Sequence, residues 1–496
     1  MASSGNESIN TPGGQASPAA EGGSNDGQVE VHSVDWIPTS DRHGKPWHVG
    51  AVWFVSNMNI TPMATGVAAV SMGTHQSLMW TIVATIVGAL FGTIFMAFHA
   101  SQGPHLGLPQ LVQSRPQFGY VGAAISVWIF ALINYGAYNI SDAIISGSAG
   151  EYLFGTPPWV AYLLFGGIGT IIAIIGYKMI HLINRIMAIP LMLVTVFITI
   201  AAFYHVDLSW SMLSFSQFNA VDFFSIFVVV SGFQLGWAPY VSDYSRYLPA
   251  NTPVKSIFFW TYFPSVLAGV WVFIIGILAG SKAPGMDPSS AVAVACDEFV
   301  HGGGTIALLT MIIGLVSIMS LNQYGGSLTL ISILDSFIPI KPTRTLRVVS
   351  VLVLFAGISV IAQLIGPSGF NTFYSNVMIF MAYVFTPWTA VNLADYFLVR
   401  RGRYVISEIF NPKGIYGRWG FRGIFAYVVG LLAMVPFMVT EPFTGFAVKY
   451  THGIDISMFI GLPVAAIVYW LVCLNLDVKK EARMASKEGK VEEELV

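Results

Sequence analysis

From residue 48 onward the chain repeats one pattern, an apolar stretch followed by a short polar gap. Each stretch is long enough to cross a hydrocarbon core of about 30 Å, which takes roughly 17 to 25 helical residues. The pattern predicts twelve spans at about 48–73, 78–98, 120–145, 159–176, 183–203, 220–242, 256–280, 305–335, 346–365, 370–398, 421–440 and 455–476. The expected fold class is an all-α polytopic membrane protein. Residues 1–45 are rich in Gly, Ser, Asn, Pro and Ala without an apolar period, and they read as a disordered tail. With no apolar run near Met1, the first span is expected to act as its own targeting signal.

Composition agrees with this reading, since 55% of residues are hydrophobic and only 10% charged, against about 25% charged in soluble domains. A net charge of −2 gives no reason to expect a nucleic-acid partner. The placement of the charges says more. Twelve spans with both termini on one side put 21 of the 23 Lys and Arg there, leaving Lys282 and Lys449 opposite. Basic residues favour the cytoplasmic face, so both termini are expected inside, in a plasma or bacterial inner membrane. The basic set includes Lys178, Lys341 and Lys490, and the acidic end Glu492–Glu494 reads as part of a solvated cytoplasmic tail from 477 to 496. Cys296, in a predicted loop, and Cys473 have no ligand or CxxC spacing, so neither a disulfide nor a metal cluster is expected. No catalytic motif is present, and His99, His105 and His181 fall at predicted helix ends, so the chain does not read as an enzyme with a cofactor.

Two spans are interrupted. Helix breakers inside a membrane span are tolerated where the freed backbone groups face protein or a polar cavity, so breaks point to sites. The first span reads FVSNMNITPMATG, with Asn57, Asn59, Thr61 and Pro62 at its middle; the sixth reads VVVSGFQLGWAPYVSDYSRY, broken by Gly232, Gly236 and Pro239 around Phe233, Gln234 and Trp237. Breaks five spans apart are what two inverted five-helix repeats produce, with a site where the broken helices meet. The expected organisation is a first repeat over 46–203, a second over 204–400 and two accessory helices over 401–476.

The third span adds Tyr135 and Asn139, four residues apart on one helical face, which suit either the ring and edge of a flat heterocycle or a plain interhelical hydrogen bond. Asn322 sits near the middle of the eighth span, with Ser317 and Ser320 about one turn earlier. Those hydroxyls, with carbonyls freed at the first break near Thr61, could ligate a sodium ion, the candidate position for metal being Ser317. Asp142, placed near the outer end of the third span, is the alternative carrier of a co-transported proton. Asp243, Asp335 and Asp395 lie toward the cytoplasm, so the site at the membrane centre is expected to favour an uncharged planar substrate.

Five motifs in order resemble the nucleobase-cation symporter-1 family: SNMNITPMATG, GPHLGLPQLVQSRPQFG, NYGAYN, GWAPYVSDYSRYLP and VNLADYFLVRRGRY. The resemblance spans about residues 35–480. It implies a leucine-transporter-like fold of 5+5 inverted repeats plus two accessory helices, working by alternating access. It also implies a substrate-binding set of Tyr135, Asn139 and Asn322 with Phe233, Gln234 or Trp237, beside Asn57 and Asn59. Many similar proteins carry Trp where this chain has Tyr135. The implied function is import of cytosine or purines by symport with sodium or a proton. Allantoin, thiamine and pyridoxine are the alternative substrates, and a non-transporting base sensor is the remote alternative.

Overall fold

The computed structural model describes residues 35–206, 214–282, 285–338, 340 and 343–494. All the regular elements in them are helices. The main ones are α1 (Pro46–Ser56), α2 (Ile60–Met72), α3 (Leu78–Ala100), α4 (Ile129–Phe154), α5 (Pro158–Ile175), α6 (Tyr177–Val206) and α7 (Ala220–Leu235). They continue with α8 (Val254–Gly280), α9 (Pro288–Phe299), α10 (Gly303–Phe337), α11 (Arg344–Ile365), α12 (Phe370–Ala394), α13 (Phe421–Met434), α14 (Ser457–Val472) and α15 (Val478–Glu494). Among the described residues, nine helices are long and apolar enough to cross a membrane. The shorter apolar helices Ile60–Met72, Phe421–Phe437 and Ser457–Val472 fall in the remaining three predicted spans.

Both predicted interruptions are present. The first span is two helices, α1 and α2, separated by Asn57–Asn59. Pro62 falls in the first turn of α2, where a backbone N–H would have no helical acceptor. In the sixth span α7 begins at its cap Asn219, whose side chain accepts from the amides of Val221 and Asp222, and stops before Gly236. The packing repeats with an offset of five spans: α1 and α2, the first span, lie on α8, the seventh, and α7, the sixth, lies on α3, the second. The third and eighth spans, α4 and α10, pack on each other at the centre of this exchange.

Small residues allow the two equivalent crossings. A Cβ on Gly66 of α2 would strike the Phe273 carbonyl of α8, and one on Gly276 of α8 would strike the Met63 carbonyl of α2. In the other repeat, Gly88 and Gly92 of α3 lie against the backbone of Phe227 and Ser231 of α7. Close backbone approach of this kind is how helices associate where lipid removes the hydrophobic drive between them.

Four sequence expectations need correction. Residues 35–45 are not a disordered tail: Ile37 is fully buried, its amide donates to Gly107 O at 2.9 Å, and Arg42 Nη1 donates to Pro104 O at 2.7 Å. An apolar anchor and hydrogen bonds to main-chain carbonyls, including His43 N to Tyr247 O, dock a polar segment that has no period of its own. The C-terminal segment is the helix α15, held by Arg400 Nε at 2.7 Å from Glu481 Oε2. Cys296 lies buried in α9, which Asp287 caps by accepting from the amides of Ser289 and Ser290. The third span runs on to Phe154, where left-handed Gly155 ends it, so Asp142 is well inside the helix and fully buried. Residues 1–34, 341–342 and 495–496 and the side chains of Lys178, His181, Lys490 and Glu492–Glu494 lie outside the described residues.

The polar motifs that follow the second, sixth and tenth spans converge on the face that holds both ends of the described chain, here the basic face. Gln110 N donates to Asp243 Oδ1 at 2.8 Å and Gln117 Nε2 to Asp395 Oδ2 at 2.6 Å, joining the segment after α3 to those after α7 and α12. The cysteines, Cys296 and Cys473, are both free thiols.

Candidate substrate and cation site

At each break the carbonyls that lose their helical partners find a side chain. Asn57 N bonds to Phe54 O three residues back, which releases Trp53 O; Asn57 Nδ2 donates to it at 2.8 Å. Asn59 Nδ2 donates to Ser56 O at 2.7 Å, and its Oδ1 accepts from Thr61 N at 2.9 Å to cap α2. Asn57 and Asn59 therefore serve the break itself. In the sixth span Trp237 N bonds to Gln234 O and Tyr240 N to Trp237 O, releasing the carbonyls of Phe233 and Gly236. α4 supplies both partners: Tyr138 Oη donates to Phe233 O at 3.3 Å, and Asn134 Nδ2 to Gly236 O at 2.9 Å.

The pair Phe233 and Trp237 shares one face of the interrupted sixth span, four residues apart, and borders a void of about 10 Å³ with Asn59, Thr61, Tyr138 and Asn322. That is room for about one water. Gln234, turned by about 100°, instead faces α8: a Cβ on Gly269 would meet Gln234 Nε2 at 2.7 Å and Asn57 Oδ1 at 3.5 Å. Among the described residues, the amide atoms of Gln234 have no hydrogen-bond partner.

A larger cavity of about 110 Å³ runs from this point toward the basic face, bordered by Tyr135, Trp237, Tyr240, Asp243, Arg246 and Asn322. Trp237 and Asn322 border both spaces. Trp237 lies nearly parallel to Tyr138, 6.1 Å away, and edge-on to Tyr240 at 5.7 Å. Tyr135 does not offer a free face on the side where Tyr240 stacks on it, at 4.9 Å and 22°. Asn139 and Tyr135 part company: the Asn139 amide, oriented to satisfy both its atoms, bridges Met319 O and Gln323 N of α10 at 3.3 Å each. That is the interhelical bond rather than a free base-edge contact.

The cation candidates divide as well. Ser317 Oγ donates to Asn184 Oδ1 of α6 at 2.7 Å, and Ser320 Oγ donates back to Ser317 O at 2.7 Å. Thr61 Oγ1 donates to Asp142 Oδ1 at 2.6 Å, tying α2 to α4, while Thr61 O accepts from Tyr374 Oη of α12 at 3.3 Å. Asn322 reaches the same carboxyl from α10 without closing a full hydrogen bond to Oδ2. Tyr138, Tyr240, Asn134, Tyr374 and Asn184 were not among the expected site residues. The motif around Trp237 could have pointed to Tyr240, and Asn134 and Tyr138 both lie in the NYGAYN motif; Tyr374 and Asn184 carry no local signal.

The family model for permeases of cytosine and purines, uracil, thiamine and allantoin matches residues 36–461. The chain belongs to this family. It is therefore a membrane permease and not an enzyme, which is what the absence of a catalytic motif led one to expect. It is 32% identical over 463 residues to YxlA of Bacillus subtilis (strain 168), provisionally named a purine-cytosine permease, covering 93% of this chain and 99% of that one. It is 24% identical over 467 residues to the purine-cytosine permease fcyB of Emericella nidulans, covering 90% and 88%. Its fold is that of the nucleobase-cation-symport-1 family transporter Mhp1. The inward-facing form of Mhp1 superposes with a TM-score of 0.71 at 18% identity, covering 92% of this chain and 97% of that one. The expected leucine-transporter-like arrangement thus stands.

Proposed function

We propose that this permease imports a nucleobase, cytosine or a purine, together with a cation, by alternating access at the site between the two breaks. One observation carries the reading. A broad aromatic ring, Trp237, and a neutral amide with both donor and acceptor, Asn322, together border the small void and the cavity leading to the basic face. Ring and amide are the chemistry that a flat, uncharged heterocycle with hydrogen-bonding edges requires. Their position at the junction of two spaces is what a carrier that releases toward one side needs. The purine-cytosine names of the relatives support the substrate class, and the excess of basic residues supports a cytoplasmic basic face. The co-transported ion is sodium or a proton.

Uptake of radiolabelled cytosine into proteoliposomes tests this, with sodium and proton gradients imposed separately and excess adenine, hypoxanthine, uracil, allantoin or thiamine as competitors. Gradient-driven accumulation blocked by purines supports the proposal. Folded protein that ignores cytosine and is competed for by allantoin or thiamine would move the substrate to those compounds. Saturable binding without accumulation would mark a sensor. Asn322→Ala should abolish uptake at normal membrane abundance; full uptake by that variant removes Asn322 from the site.

A further inference from the structure

Asp142 is a carboxyl with no exposed surface in the interior of the bundle. Among the described residues it belongs to no ion pair. The ionisable groups around it are the phenols of Tyr138 on its own helix and Tyr374 on α12. From α2 and α10 it meets only neutral groups, Thr61 and Asn322. The neighbouring helices α9 and α5 present Ser289, bonded to Ile145 O, and Tyr162 beside Gly147, both on turns of α4 beyond Asp142. A buried carboxylate without a partner cation is costly and tends to take up a proton. Two features oppose that cost here: the hydroxyl of Thr61, and the start of α2, the positive end of that helix's dipole. The group is thus built to exist in both forms.

From this geometry we infer that Asp142 carries the co-transported proton and that its protonation sets which end of the Asn322 amide is offered to the base. The inference rests on the transport reading above. As a carboxylate, Asp142 accepts from Asn322 Nδ2, leaving the amide oxygen for the substrate. With a proton bound, its O–H donates to Asn322 Oδ1, leaving the amide nitrogen instead. The proton is taken from water when the site faces away from the basic side and returned to water through the cavity beside Asn322. Because Thr61 belongs to α2, the same carboxyl also grips the second half of the first span. The Ser317 hydroxyl, hydrogen-bonded to Asn184, lies outside this exchange.

The test uses the full-length protein with cytosine as probe. In weakly buffered detergent solution, cytosine binding to the wild type should take up protons in proportion to base bound. In sodium-free proteoliposomes a proton gradient should drive accumulation. D142N should lose that accumulation at least tenfold, while exchange of preloaded cytosine continues at a reduced rate that no longer varies with pH. T61V, which removes the hydroxyl and keeps the carboxyl, should accumulate cytosine more slowly than the wild type but still on a proton gradient; a merely structural Asp142 predicts that both variants lose that accumulation alike. Binding without proton uptake, proton-driven accumulation by D142N at the wild-type level, or sodium-driven accumulation by the wild type at equal pH each overturns the assignment. Wild-type protein that neither binds nor exchanges any base overturns the transport reading itself, and this inference with it.

Discussion

Asn134 of α4 donates its side-chain amide to the main-chain carbonyl of Gly236, 2.9 Å away, at the point where the sixth span loses its own hydrogen bonding. Its Nδ2 also lies 3.1 Å from Tyr240 Oη. One side chain thus holds the break open and fixes the ring that stacks on Tyr135.

Replacing Asn134 by Leu leaves the Gly236 carbonyl buried without a partner. That should cost about 1–3 kcal/mol, read as a lower thermal midpoint in detergent, and it should slow uptake as well. An unchanged midpoint would mean that water or a backbone shift satisfies the carbonyl.

Trp237 should contribute through its face. Loss of stacking by Trp237→Ala is worth about 1–3 kcal/mol, or about five- to 150-fold in the apparent affinity for cytosine, while Trp237→Phe should retain most of it. Equal losses in both variants would point to the indole nitrogen rather than the ring.

The fully buried Asp395 accepts from Arg400 Nη1 at 2.5 Å and from Gln117, Tyr404 and Tyr469. Arg400→Met leaves that carboxylate without its cation and should destabilise the protein by about 3–5 kcal/mol. The double variant Asp395→Asn with Arg400→Met should recover much of the loss. A double variant no more stable than the single one would assign the stability to the other hydrogen bonds of the cluster.

Gly276 is the residue whose side chain would collide with the Met63 carbonyl where α2 crosses α8, whereas a Cβ on Gly357 of α11 meets nothing. Gly276→Ala should lower the thermal midpoint, by an overpacking cost of about 1–3 kcal/mol. Gly357→Ala should leave it unchanged or raise it slightly, since Ala favours helix over Gly. Equal effects of the two would show that α2 can move off α8 at little cost.

The spans and their interruptions were legible because both follow from the bilayer. Lipid demands long apolar helices, and it confines Pro, Gly and Asn breaks to places where protein can complete the backbone bonding. The break at Asn57–Asn59 and the stop before Gly236 lie where the residue pattern puts them. Phe233 and Trp237 could have been paired from spacing alone, four residues apart with Gln234 turned away. The structured residues 35–45 and α9 escaped because neither is an apolar run of membrane length: the first docks through Ile37 and Arg42, and α9 is a short helix capped by Asp287 with Val292, Ala295 and Cys296 buried.

What the sequence by itself determined is the helix order, the charged face, the two broken spans and the family. Each depends on composition or spacing within one segment. Only the tertiary structure decided which polar side chains serve a substrate and which serve the fold. Asn57, Asn59 and Asn139 answer backbone groups, Ser317 answers Asn184, and Asn322 borders the cavity. The same amide or hydroxyl in the same kind of helix can do either. The choice rests on which neighbouring carbonyls have lost their own partners, and those neighbours are distant in the chain.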